Sequence, residues 1–189
     1  ASIAGRQLGD CTVGIIGFGR VGKRLTRCLV GFGTSVIYND LLEIADEQRH
    51  GATPVMLDDL LAASDIVTVH VDDRASNRHL INAAMLAKCR DDVLFINASR
   101  GFVVDAGALA AFLRGRPVAR AVLDVREPEP PCGAYPLMGL ANCRIMPHLG
   151  AATGAAHKNM SWVVRDVWRV LSGEEAEHEA PPPGATMAS

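Results

Sequence analysis

The sequence predicts an α/β protein built on a doubly wound parallel sheet of about seven strands with a C-terminal helix. Three observations predict it. Short β-rich apolar runs alternate with longer segments of helical spacing, most of those runs are apolar throughout, and the first enters a helix through a glycine-rich turn. A chain of 189 residues that is 49% hydrophobic and 21% charged has the balance of one soluble domain with a sizeable core.

The elements follow in order. Thr12 to Ile16 is the first strand, and Val21 to Phe32 the helix after it, with Leu25, Cys28 and Leu29 on its inner face. Ser35 to Tyr38 is the second strand and Ile44 to His50 a short helix. Thr53 to Met56 is a weak third strand and Asp58 to Ala63 the next helix. Ile66 to Val71 forms the fourth strand, Ala83 to Lys88 a helix, Val93 to Asn97 the fifth strand and Asp105 to Arg114 a helix. Ala119 to Leu123 and Arg144 to Met146 complete the sheet. Parallel pairing requires such crossovers, and all strands but the third are expected to be buried on both faces. Between the last two strands, residues 126–142 are proline-rich without periodicity and read as an ordered irregular loop. Thr153 caps a final helix whose Ala156, Met160, Val163, Val164, Val167 and Leu171 form one apolar stripe, with Lys158, Arg165 and Arg169 off it; this helix is expected to pack on a sheet or domain. From Gly173 the chain turns to Glu, Ala and Pro, the composition of a disordered tail.

A net charge of −2, dispersed Lys and Arg, and few aromatic residues argue against nucleic acid as a partner. No apolar run approaches the roughly 20 residues that cross a bilayer. The five cysteines form neither a Cys-x-x-Cys pair nor a cluster with His at metal-ligand spacing. They read as reduced thiols of a cytoplasmic protein, with no metal expected. Ala1 opens a short polar approach to a buried strand without an initiating Met, the start expected of a fragment.

Gly17-Phe18-Gly19-Arg20-Val21-Gly22 follows the first strand directly. Gly17 permits the tight turn, Gly19 lets the backbone approach a pyrophosphate, and Gly22 lets helix and strand pack closely, while the helix N-terminus offers N–H groups to the anion. This is the dinucleotide fingerprint of a Rossmann fold. Asp40 ends the second strand, where its carboxylate can accept from adenosine ribose hydroxyls. Leu41, Leu42 and Glu43 follow in place of Arg or Lys, which favours NAD over NADP. Three further polar residues fall at strand carboxyl ends, where open parallel sheets bind ligands: Arg100, Asp124 and His148. Singly they read as a surface ion pair, a turn former and a loop histidine. Together, a forked cation for a carboxylate and a proton-exchanging imidazole near an acid suit 2-oxo acid chemistry.

At these residues the chain resembles the D-2-hydroxyacid dehydrogenases, which include phosphoglycerate, glycerate, formate and D-lactate dehydrogenases. The resemblance runs from about Gly5 to Leu171. It rests on Gly17 to Gly22, Asp40, Asp65 to His70, Ile96 to Gly101 with Val103-Val104-Asp105, Leu123-Asp124-Val125, Glu127-Pro128-Glu129-Pro130 and Pro147 to Ala151. It implies that Arg100 holds the substrate carboxylate and carbonyl, that His148 is the proton donor and acceptor, and that Glu129, rather than Glu127, pairs with His148. Asp124 would face the nicotinamide carboxamide, Arg20 and Val21 would lie at the pyrophosphate, Val71 near the adenosine, and Ala98 and Ser99 beside the nicotinamide ribose. Gly150 and Ala151 complete the implied cofactor set. His70 and Asn97 are expected to support strand ends. The chain departs from the family pattern at Asp72-Asp73, where Pro is usual, and at Arg126, where an aromatic is usual.

The resemblance further implies NAD as cofactor, a small 2-oxo or 2-hydroxy acid as substrate and a homodimer. Residues 1–172 are expected to form the NAD-binding domain and 173–189 the tail, with the family's substrate-binding domain essentially absent, so that the piece alone turns over poorly. A different class of function, an NAD(H)-sensing scaffold resembling the corepressors of this family, predicts binding without turnover.

Overall fold

The structure, a computed structural model, describes residues 5–161 and 163–176, which fall into two compact units, residues 1–147 and 148–189. The first unit carries the sheet. Its strands are β1 (Thr12–Ile16), β2 (Ser35–Asn39), β3 (Thr53–Pro54), β4 (Ile66–Val69), β5 (Leu94–Asn97), β6 (Arg120–Leu123) and β7 (Cys143–Ile145), in the order β3-β2-β1-β4-β5-β6-β7 with every pair parallel. The order reverses between β1 and β4, the place where an open α/β sheet leaves a crevice at its carboxyl edge.

The helices of this unit are α1 (Arg20–Val30), α2 (Leu57–Ala63), α3 (Ala83–Leu86) and α4 (Ala106–Gly115). Local chemistry starts two of them. The Asn82 side chain accepts from the N–H groups of Ala84 and Met85 ahead of α3, and the Asp105 carboxylate accepts from Ala108 N–H ahead of α4. Right-handed crossovers from β4 onward place α3 and α4 on one face of the sheet, where Val67, Phe95, Ala121 and Leu123 bury against Leu86, Leu109 and Leu113. Each such leucine contributes about 1.5–3 kcal/mol by leaving water. On the β1–β2 side, Phe18 stacks on Tyr38 with ring centroids 3.9 Å apart.

Three expectations are corrected. Only β1 and β4 approach burial along their whole length, whereas β2, β5, β6 and β7 alternate. Register puts Ile66, Leu94 and Arg120 on one face, with Ile96, Val122 and Arg144 on the same side, and every one of these is half-buried or exposed. Crossovers of one hand leave that face of β4 to β7 without a helix from this unit. The helix expected at Ile44 to His50 shrinks to one 3-10 turn, Asp46–Gln48. Ile44 is the segment's only buried apolar anchor there, Arg49 Nε turns back to the Ile44 carbonyl, and His50 and Gly51 take left-handed backbone (φ 52° and 89°). The weak third strand is only Thr53–Pro54, an edge position that tolerates Pro.

In the second unit the expected C-terminal helix is present, in two segments, α5 (Gly154–Met160) and α6 (Val163–Leu171). Thr153 does cap α5, its hydroxyl accepting from Ala156 N–H at 3.0 Å. Ser161 turns its hydroxyl onto the Lys158 carbonyl, a local bond that competes with helix continuation. The stripe residues of α6 are exposed in the chain by itself, Leu171 by 78%. The expected tail lies mostly in residues 177–189, outside the described residues.

Among the described residues no helix is long and apolar enough to cross a membrane, no group of three or more His, Cys, Asp or Glu could hold a metal, and all five cysteines are unpaired thiols.

Candidate active site

Because all seven strands run the same way, their carboxyl ends share one edge. The first feature there is the loop from β1 into α1. Gly17 has φ 89°, and a Cβ on it would sit 2.8 Å from the carbonyl carbon of His70 and 2.9 Å from the nitrogen of Val71, so a side chain is excluded twice, by backbone sign and by the exit of β4. A Cβ on Gly22 would lie 2.7 Å from the Gly17 carbonyl oxygen, the expected close packing. Gly19 is the opposite case, with nothing within 4 Å of the position a Cβ would take. No side chain caps α1, whose first turn carries the exposed Val21 and no acid. An uncapped helix N-terminus beside open space is the receptor a pyrophosphate requires, so the residues fit a dinucleotide.

Asp40 follows β2 and is bound into this loop. Its Oδ2 accepts from Phe18 N–H at 2.5 Å and its Oδ1 from Leu42 N–H at 2.9 Å. A carboxylate has about four acceptor positions, so two stay available to ribose hydroxyls while the other two shape the turn. Val71 lies two residues beyond β4. The departing Asp72 holds Arg74 through contacts of 2.6–3.1 Å and receives the Asn77 amide, so the segment expected to carry Pro is fixed by charge instead.

At the exit of β5, Asn97 organises the loop that carries Arg100. Its Oδ1 accepts from both the N–H and the hydroxyl of Ser99, at 3.1 and 2.9 Å, and its Nδ2 donates to the Arg100 carbonyl at 2.9 Å. Ala98 and Arg100 are exposed while Ser99 is buried, and the Arg100 guanidinium donates to the Ser99 carbonyl. Immediately afterwards Gly101 meets the next loop, because a Cβ on it would fall 2.0 Å from the Arg126 carbonyl carbon. The loops after β5 and β6 are therefore in backbone contact. Asp124 directly follows β6, its N–H bonded to the Asn97 carbonyl.

The two acids of the proline-rich loop are sorted by partner. Glu127 receives both guanidinium prongs of Arg78 at 2.8 and 2.9 Å, and that pairing holds its carboxyl below the usual range. Glu129 lies 3.9 Å from Arg126 Nη2. Arg78 was not legible as a site residue, since it belongs to no motif, and Arg126 was legible only as a departure from the family pattern. His148, three residues past β7, opens the second unit with φ 55° and ψ 47°, a left-handed backbone that is uncommon for a residue with a side chain and concentrates at functional sites. Gly150 and Ala151 follow it in a 3-10 turn. His70 supports its strand end as expected, its N–H bonded to Ile16 and its ring to the Thr68 hydroxyl at 2.9 Å; burial pushes its pKa down to about 4.

A cavity of about 1160 Å³ opens at the opposite, amino edge of the strands, lined by Asp65, Ile66, Leu94, Arg120 and Arg144 among others. Asp65 is already paired with Arg6 at 2.6 Å, and no acid–base grouping faces this cavity comparable to that of the carboxyl edge. Volume alone does not mark the chemistry here.

Comparison with known proteins agrees with the geometry. Residues 1–150 match the family described as D-isomer specific 2-hydroxyacid dehydrogenase, NAD binding domain. D-3-phosphoglycerate dehydrogenase of Mycobacterium bovis is 36% identical over 176 residues, covering 92% of this chain and 33% of its own length. Glyoxylate/hydroxypyruvate reductase B of Citrobacter koseri is 40% identical over 152 residues, 79% of this chain and 47% of that protein. The solved D-lactate dehydrogenase with NAD+ from Lactobacillus jensenii superimposes with a TM-score of 0.84 at 25% identity, over 95% of this chain and 58% of that one. The chain thus spans between a third and three-fifths of the length of these three relatives. With a fingerprint loop, a following acid and an all-parallel sheet of this order, it belongs to the D-isomer specific 2-hydroxyacid dehydrogenases, as their NAD-binding domain.

Proposed function

We propose that the chain binds NAD(H) along the carboxyl edge of the sheet and serves the interconversion of a small 2-oxo acid with its D-2-hydroxy acid. The observation that carries this reading is the gathering on one edge of an uncapped helix N-terminus, the Asp40 carboxylate and the exposed Arg100. Bound NADH supplies the hydride. In this reading Arg20 and Val21 flank the pyrophosphate, Asp40 accepts from the ribose, Val71 borders the adenosine, Ala98 and Ser99 border the nicotinamide ribose, Asp124 meets the carboxamide, and Gly150 and Ala151 complete the contact. Arg100 clamps the substrate carboxylate and draws electron density from the carbonyl. His148 donates a proton to the carbonyl oxygen as the alcohol forms, and takes it back in the oxidising direction. Glu129 stabilises the imidazolium, the role left to it by the commitment of Glu127 to Arg78.

A second, substrate-binding domain completes the pocket and excludes water, as hydride transfer requires. We place the protein in the cytoplasm, where five unpaired thiols stay reduced, and read it as a homodimer. The test is NADH oxidation with a panel of glyoxylate, pyruvate and hydroxypyruvate, measured on the chain joined to a substrate-binding domain. The expected result is turnover of at least one acid that Arg100→Ala or His148→Ala abolishes while NADH still binds. Binding without turnover of any acid returns the sensing-scaffold reading, and turnover indifferent to both substitutions refutes the roles assigned.

A further inference from the structure

The guanidinium of Arg126 stands where the family pattern has an aromatic ring, and its side chain is 9% exposed. A guanidinium taken out of water brings five N–H donors that need partners. Nη1 donates to the carbonyl of Met146, the residue after β7; Nη2 lies 3.9 Å from Glu129 Oε1; Nε is buried with no hydrogen-bond partner. Its backbone is fixed independently, because the peptide joining it to Glu127 lies against Gly101, the residue after Arg100. The residue is thus a strut. It is anchored on the β5 loop at one end and on the exit of β7 at the other, with the Glu129 carboxylate beside its tip. Glu127 does not compete for that tip, being held by Arg78.

An aromatic ring in this place fills space but carries no charge, whereas a buried cation attracts a carboxylate and orients it. We propose that Arg126 is a positioning residue of the acid–base machinery, its charge fixing the Glu129 carboxylate against the exit of β7. The proposal rests on the reading of Glu129 given above. Arg126 touches no reacting atom and acts through Glu129, so its removal alters the rate of proton transfer rather than the affinity for cofactor.

A double-substitution cycle on the unliganded protein tests the contact. Arg126→Met and Glu129→Gln, singly and together, are compared by urea unfolding, and their effects on the folding equilibrium are expected to deviate from simple multiplication by about fivefold or more. Strictly multiplicative effects overturn the proposal. Should Arg126→Met fail to fold, the Arg126 Nε–H resonance in Glu129→Gln decides the same point, since the proposal requires that it shift and an unmoved resonance refutes it. In turnover, Arg126→Met is expected to lower kcat by about tenfold with little change in KM for NADH, and Arg126→Lys to restore part of it. Full restoration by Arg126→Phe overturns the claim that charge is what matters. A protein that oxidises NADH with no 2-oxo acid contradicts the proposed function, yet the unfolding cycle still accepts or rejects the contact.

Discussion

Asp40→Asn separates the turn-shaping bonds of this carboxylate from the ribose contact proposed for it. In the folded chain it accepts from Phe18 N–H and Leu42 N–H on different oxygens. Asn has one acceptor oxygen, so one of these donors must face an NH2 group. Phe18 is fully buried and Leu42 is 38% exposed, so the amide is expected to keep the Phe18 bond and leave Leu42 to water. Weakening one charge-assisted bond and surrendering an exposed one costs about 1–2 kcal/mol, a melting point lower by about 2–8 °C for a protein of this length. The cofactor loses more. Replacing a charged acceptor of the ribose hydroxyls by a neutral one removes about 1.5–3 kcal/mol, which weakens NADH binding by about tenfold to a hundredfold. NADPH has no such bond to lose and is freed from repulsion between the carboxylate and its 2′-phosphate, so its Kd falls or holds. Nucleotide fluorescence titrations with both cofactors, beside a thermal melt, read the two effects separately. An unchanged NADH affinity together with an unchanged preference over NADPH refutes the ribose contact. An unchanged melting point refutes the anchoring of the glycine turn.

Other expectations follow from single observations. Gly17→Ala forces a Cβ to within 2.8 Å of the His70 carbonyl on a residue with φ 89°; the backbone conformation alone costs about 1–2 kcal/mol, so the variant melts lower and binds NADH more weakly, whereas an unaltered Kd contradicts the loop geometry. His70, whose buried ring has a folded pKa of about 4 against an ordinary value of 6.5, takes up its proton more readily when unfolded; its stabilising contribution is whole above about pH 6.5 and is lost as pH falls from there toward 4. At pH 5 the loss is about 2 kcal/mol, seen as a steeper fall of melting point between pH 7 and 5 than in His70→Gln, and parallel curves disprove it. In the proposed mechanism the Glu129 carboxylate supports proton donation by His148, so Glu129→Gln is expected to lower kcat by about tenfold or more with little change in KM for NADH, and an unaltered kcat rules out the role.

What was readable from the residues alone was what is local in sequence. The glycine turn, Asp40 and the cap at Thr153 each need only a few adjacent side chains, and the alternation of apolar runs was enough for seven strands and their sense, whereas Asp105, read as the first residue of its helix, is its cap. Burial of the strands was not readable to the same depth, because Leu94 and Val122 are as apolar as their neighbours and their partial exposure follows from which face the crossovers cover. Ile44 to His50 misled for a related reason: helical spacing of one buried residue cannot outweigh the left-handed turn at His50 and Gly51. Among the site residues, Arg100 and Asp124 were legible as polar groups at strand ends. The Asn97 bonds that shape the Arg100 loop, the capture of Glu127 by Arg78 and the inward turn of Arg126 were not, since each joins loops whose meeting depends on the folded sheet.

Whether the dinucleotide lies along the carboxyl edge is decided by titrating the isotope-labelled chain with NAD+ and following its backbone amide resonances. The predicted shifts concentrate at Gly17 to Gly22, Asp40, Val71, Ala98 to Arg100 and Asp124. Shifts concentrated instead around Arg6, Asp65, Arg120 and Arg144, at the large cavity on the amino edge, would contradict it.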